Sequence, residues 1–201
     1  KGGAGGDNNV YWLGELPLFI DEYEEGNAST LAEKLADVLP REDVMVIPHH
    51  TTRTGKHGEY TDAIYPGGDV TPVVEIHSKW GTGEYRGNPH PLEEIHPGPA
   101  YAADLLNMGY PLGFVGGTDA HSTMPAGRGK DHLTSFPGMT AVMTDVLSRE
   151  NVFRAIKTRK CYAASAERIY LDVNVAGADM GEQLEWKDAS APREINVTAA
   201  A

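Results

Sequence analysis

Three short apolar runs, each ending in groups able to bind a metal, set the pattern of this chain. Val44-Met45-Val46-Ile47 delivers Pro48-His49-His50, Val73-Val74-Glu75-Ile76-His77 carries its polar groups inside the run, and Leu112-Gly113-Phe114-Val115 delivers Gly116-Gly117-Thr118-Asp119-Ala120-His121. Runs this short and this rich in β-branched residues read as strands covered on both faces. Val10–Leu13 predicts a further short strand, Leu18–Ile20 an extended piece, and Met139–Val146 another strand. Helices are predicted where the period changes. Thr30 and Glu33 have capping-box spacing, Leu31, Leu35, Val38 and Leu39 share one face, and Pro40 ends the segment. Pro99 opens a short helix to Met108, and Ser148 caps one through Lys157, with Lys157, Arg159 and Lys160 at its negative end. After Cys161 the pattern alternates through Arg168–Val175 and Glu194–Val197, which predicts an antiparallel sheet with one solvated face and a boundary near residue 165.

Strands alternating with helices predict an α/β protein. In parallel sheets and barrels, sites form at the carboxyl ends of the strands and in the loops that follow. Here each of the three runs ends in His or acid and is followed by a long polar loop, residues 51–71, 78–98 and 122–138. If the end of the third run is extended, Asp119 and His121 face the same way and suit a divalent metal; the alternative is a turn cap beside a surface histidine. Adjacent strand residues face apart, so one of His49 and His50 is expected to bind metal and the other to contact substrate. Glu75 is costly to bury unless it is paired or bound, with an ion pair to a loop arginine as its alternative. His77 reads as a site residue or a hydrogen-bonded core histidine. His57, His90, His96 and His132 read as surface residues.

Composition narrows the partners. The 201 residues, 40% hydrophobic and 23% charged, suit one globular domain or one and part of a second. A formal net charge of −12 argues against nucleic acid or an anionic membrane as the main partner. Solubility accounts for most of that charge. The one cysteine, Cys161, excludes an intrachain disulfide and reads as a packing residue. No apolar run approaches the roughly 20 residues of a membrane span, and no signal peptide is visible. The chain opens on Lys1-Gly2-Gly3 without methionine and stops after a strand-like run, so it reads as cut at both ends. The compartment stays open between the cytoplasm and the periplasm or exterior.

In order, Val46-Ile47-Pro48-His49-His50, Val74-Glu75-Ile76-His77-Ser78-Lys79-Trp80-Gly81-Thr82-Gly83-Glu84 and Gly116-Gly117-Thr118-Asp119-Ala120-His121 resemble the later motifs of the PHP (polymerase and histidinol phosphatase) superfamily. The likeness is greatest to a PHP-like bacterial family of unknown function, and it extends through Arg159-Lys160-Cys161-Tyr162-Ala163 and Val175–Gly181. It implies part of a distorted (β/α)7 barrel over residues 1–165 and the start of a C-terminal β domain over 166–201. It also implies two or three divalent ions (Zn, Mn or Fe), with His49, Asp119 and His121 as ligands and Glu75 beside them. The superfamily's opening His-x-His and later bridging Glu have no counterpart here. The chain is therefore expected to begin partway into the barrel, with Asp7 and Asn8 as the place to look for a further ligand.

The function expected is metal-dependent hydrolysis, most of all of phosphoesters, by metal-activated hydroxide. His50, Glu75 and His77 are the catalytic candidates. Lys79, Arg86 and Arg128, together with Arg53, are the candidates to hold the oxygens of a small phosphorylated substrate. The alternatives are hydrolysis of a C–N or carboxylic ester bond, and a binding module without turnover.

Overall fold

The computed structural model describes residues 7–14, 40–54, 68–93, 97–120, 137–165 and 167–201. The helix expected over Thr30–Leu39, the extended piece at Leu18–Ile20, and His57, His96, His121, Arg128 and His132 lie outside these residues.

Ten strands and two α-helices make up the described chain. Strand β1 (Asp7–Trp12) pairs antiparallel with β2 (Val44–His49), in a register that sets Asp7 opposite His49 and Trp12 opposite Val44. Strand β3 (Val73–Ser78) is central to the next sheet, antiparallel to β4 (Gly81–Thr82) and parallel to β5 (Gly113–Gly116). The short helix α1 (Ala102–Asn107) precedes β5. It begins three residues later than the proline suggests, because the Asp104 carboxylate accepts the backbone N–H groups of Ala100 and Tyr101, both at 3.1 Å. Strands β6 (Gly138–Val142) and β7 (Cys161–Ser165) form an antiparallel pair around α2 (Arg149–Lys157). Ser148 caps α2 as expected, its hydroxyl accepting from Asn151 N at 3.1 Å. Strand β8 (Tyr170–Val175) lies between β9 (Ala178–Asp179) and β10 (Ile195–Ala200) in an antiparallel sheet of its own.

The (β/α)7 barrel expected from the motif resemblance is not what the chain forms. Among the described residues the sheets are small and mostly antiparallel, and β3–β5 is the one parallel pair of strands. Apolar runs cannot distinguish the two architectures, because stacked small sheets cover a strand on both faces as a barrel does. Strand β2 is buried along Val44–Ile47, as expected, but its hydrogen-bonded neighbour is the antiparallel β1.

A buried cluster joins several of these elements. Met45, Ile47, Val73, Val115, Phe153 and Cys161 pack together from β2, β3, β5, α2 and β7. Cys161 is a packing residue: burial pushes its thiol up to about 12. Lys157 does more than complement a helix end. Its Nζ donates to the Arg41 carbonyl at 2.8 Å and to the Val44 carbonyl, and Arg154 donates to Glu42 O and Asp43 Oδ1, so α2 is clamped to the chain entering β2.

Candidate metal centre

The ends of β2, β3 and β5 meet. His49 is the last residue of β2, and its Nδ1–H donates to Glu75 Oε1 of β3 at 2.6 Å. Its Nε2 lies 3.4 Å from Asp119 Oδ2, just beyond β5. His50 Nε2 lies 2.9 Å from the same oxygen. Candidate ligand atoms of His49, His50 and Asp119 all fall within 4.8 Å of one another, the one such group of three among the described residues.

Adjacent histidines reach one site because the strand stops between them. His50 has φ 55° and Asp119 φ 47°, both left-handed. This region is uncommon outside glycine, but His and Asp enter it more readily than most residues. His50 opens a turn in which its carbonyl accepts Arg53 N at 2.9 Å. The reversal brings the two imidazoles to a centroid separation of 3.5 Å. Strand alternation, which predicts opposite faces for His49 and His50, therefore does not apply here. Asp119 is likewise not extended, because β5 ends at Gly116 and Asp119 is left-handed; its geometry relative to His121 lies outside the described residues.

Burial and partners set the charges. Burial of His49 favours the neutral ring, but its bonds to Asp119 and Glu75 outweigh that and lift it to about 9. For His50, burial wins and, with the neighbouring His49 charge, keeps it below its ordinary value against the pull of Asp119. Burial raises Asp119, yet the bonds from both histidines hold its carboxyl well below the usual carboxylate range.

A divalent ion fits this group. Four donors at 2.0–2.1 Å in a tetrahedron stand about 3.3 Å apart, and the two His–Asp separations are 3.4 and 2.9 Å. Glu75, holding His49 through Nδ1, fixes the tautomer that turns Nε2 toward Asp119, the arrangement that orients metal-binding histidines generally. Gly117 leaves room for it: a Cβ there would stand 2.5 Å from Glu75 Oε2.

The cavity around the group has a volume of about 680 Å³. Asp7, Asn8, Tyr11, Arg53 and Trp80 share its wall with His49, His50, Glu75 and Asp119. Asp7 and Asn8, the place to look for a further ligand, line the cavity but are not in the group of three. Tyr11 and Trp80 were not singled out; the alternation of β1 opposite β2 was the available signal for Tyr11. Burial and the Glu75 charge raise the Tyr11 phenol.

Other expected site residues do not come together here. His77 is outside both the ligand group and the lining of the cavity, and its carbonyl accepts Gly117 N at 2.9 Å. Lys79 lies over the Trp80 ring at 5.0 Å, outside the lining. Arg86 donates to Gly98 O at 3.0 Å and stacks on Tyr101, away from the group. His90 is exposed in its loop.

The chain is similar to three uncharacterised chlamydial proteins. It is 29% identical over 157 residues to one from Chlamydia pneumoniae, a match covering 75% of this chain and 25% of the relative. It is 33% identical over 151 residues to one from Chlamydia trachomatis, covering 71% and 24%. A protein of Chlamydia muridarum is 33% identical over 121 residues, covering 56% and 19%. The chain spans about a quarter of the length of these relatives or less. No protein-family model and no solved structure matches it. Among the described residues no helix is long and apolar enough to cross a membrane.

Proposed function

We propose that the chain binds a divalent metal ion on His49, His50 and Asp119 and serves metal-dependent hydrolysis of a small phosphoester. The observation that carries this reading is the convergence of two imidazoles and a carboxylate, with Glu75 holding one imidazole in the tautomer a metal requires. The motif resemblance supports hydrolysis, and it does so without the barrel, because strand ends from two small sheets bring these groups together.

A divalent ion held there supplies Lewis acidity and activates water for attack at phosphorus. The residues of the chain do the rest. Asp119 supplies negative charge against the ion, Glu75 keeps the His49 ring oriented, and the Arg53 side chain in the cavity wall complements phosphate oxygens. Three protein ligands leave coordination positions open, as catalytic rather than structural sites do.

The test is metal analysis and a phosphoester panel on the chain beside an Asp119→Ala variant. We expect one equivalent of bound Mn²⁺ or Zn²⁺, and loss of both metal and hydrolysis in the variant. Hydrolysis that survives the substitution overturns the reading. Amide and carboxylic ester substrates in the same panel test hydrolysis at carbon.

A further inference from the structure

A second cavity, of about 640 Å³, adjoins the metal centre. The two share Asn9, Tyr11, Glu75 and Gly117, so they meet across the Glu75 carboxylate. The second is mostly apolar. Met45, Ile47, Val115 and Phe153 form part of its wall and belong to the packed core, with Trp12 and Val152 beside them.

Four of the polar side chains in this wall are engaged within the protein. Thr140 Oγ1 donates to Gly116 O at 2.8 Å and accepts Gly116 N at 3.1 Å. The Ser148 hydroxyl caps α2, Arg149 donates to Trp12 O at 3.3 Å, and Glu75 accepts from His49. A ligand group entering here meets mostly aromatic and aliphatic surface, with the side chains of Asn9 and Tyr11 at the edge shared with the metal site. The volume lies in the range of small-molecule sites, roughly 300–1,000 Å³.

We propose that this cavity is the specificity pocket of the metal centre, holding an apolar, ring-sized group of the substrate while its phosphate lies at His49, His50 and Asp119. The substrate class is then a phosphomonoester of an aromatic or bulky alkyl alcohol. The proposal rests on the metal-site reading above, but the cavity can be tested apart from it.

The experiment compares 1-naphthyl phosphate with methyl phosphate on the 201-residue chain loaded with Mn²⁺, by calorimetry and by tryptophan fluorescence. We expect the naphthyl ester to bind at least about tenfold tighter, since ring burial adds well over the 1.4 kcal/mol that tenfold requires. It should also change the Trp12 emission, a signal absent in Trp12→Phe. Val152→Phe, which fills the cavity, should remove the preference and leave methyl phosphate binding unchanged. Leu147→Asp places a charge at the rim on a residue 89% exposed, where folding tolerates it, and should also weaken the naphthyl ester alone. Equal affinity for the two esters, or a preference unmoved by both variants, overturns the proposal. Binding of 1-naphthol with metal removed by EDTA separates the two readings. If naphthol binds and Mn²⁺ does not, the metal site fails and the apolar pocket stands; if Mn²⁺ binds and naphthol does not, the pocket fails.

Discussion

His49 is the residue on which the site's charge turns. With its proton held by Glu75 and Asp119, it stays cationic in the metal-free chain through neutral pH, its value lifted to about 9. A folded-state value above the ordinary 6.5 means that the folded chain holds the proton more tightly than the unfolded one. The stabilisation is complete below about pH 6.5 and is lost as pH rises through 9. His50 acts in the opposite sense, but its contribution is complete once pH exceeds its ordinary value. Lys157, lowered to about 8 by burial, adds stability only above that pH. Between pH 7 and 8, therefore, the urea stability of the metal-free chain should fall by about 1 kcal/mol. In Glu75→Gln the fall should shrink, because the neutral amide holds the imidazolium less well. An unchanged slope in that variant would show that Glu75 does not hold the proton. Metal binding has the opposite dependence, since the ion must displace that proton, and its affinity should rise over the same interval.

At the scale of elements, the site depends on how closely β5 approaches its neighbours. A Cβ on Gly116 would stand 2.7 Å from the Met139 carbonyl oxygen of β6, a backbone atom that cannot rotate away. Gly116→Ala should cost about 1–3 kcal/mol, the range for overpacking, read as a lower urea midpoint, and should loosen Asp119 three residues on. A midpoint within error of the parent would mean that β6 yields freely. This dependence also marks how much the sequence made legible. The runs at Val44, Val73 and Leu112 were readable as strands because they are short and dominated by apolar residues, and their polar groups were readable as a candidate site because His, Glu and Asp are costly to leave beside a core. Ser148 capping α2 was readable from its own chemistry. The pairing of the strands was not, since burial on two faces is the same whether the neighbour is parallel or antiparallel, and β1 gives no sign that Asp7 will sit opposite His49. Nor was the turn at His50, because a left-handed histidine is set by the Arg53 N bond and the packing around it and not by residue type.

For the whole molecule, the ligands come from chain segments 69 residues apart and from two separate sheets, so an ion held by them adds to the core packing and to the His49–Glu75 bond that already join these parts. In the unfolded chain the adjacent His49 and His50 remain near each other, but Asp119 does not, and the full ligand set exists only in the folded state. A ligand that binds only the folded chain stabilises it by RT ln(1 + [L]/Kd), about 2.7 kcal/mol at a hundredfold excess over Kd. For a chain of this size each kcal/mol moves Tm by about 2–4 °C, so saturating Mn²⁺ or Zn²⁺ should raise Tm by roughly 5–10 °C. Asp119→Ala should abolish the rise, whereas Arg86→Ala, in a residue bound to Gly98 and Tyr101 away from the group, should keep it. Calcium, which takes six to eight oxygen ligands, should give little or no shift with two imidazoles and one carboxylate. A Tm that rises equally with Ca²⁺, or that still rises in Asp119→Ala, would place the stabilising ion among the surface carboxylates of an acidic chain and not at the junction of β2, β3 and β5.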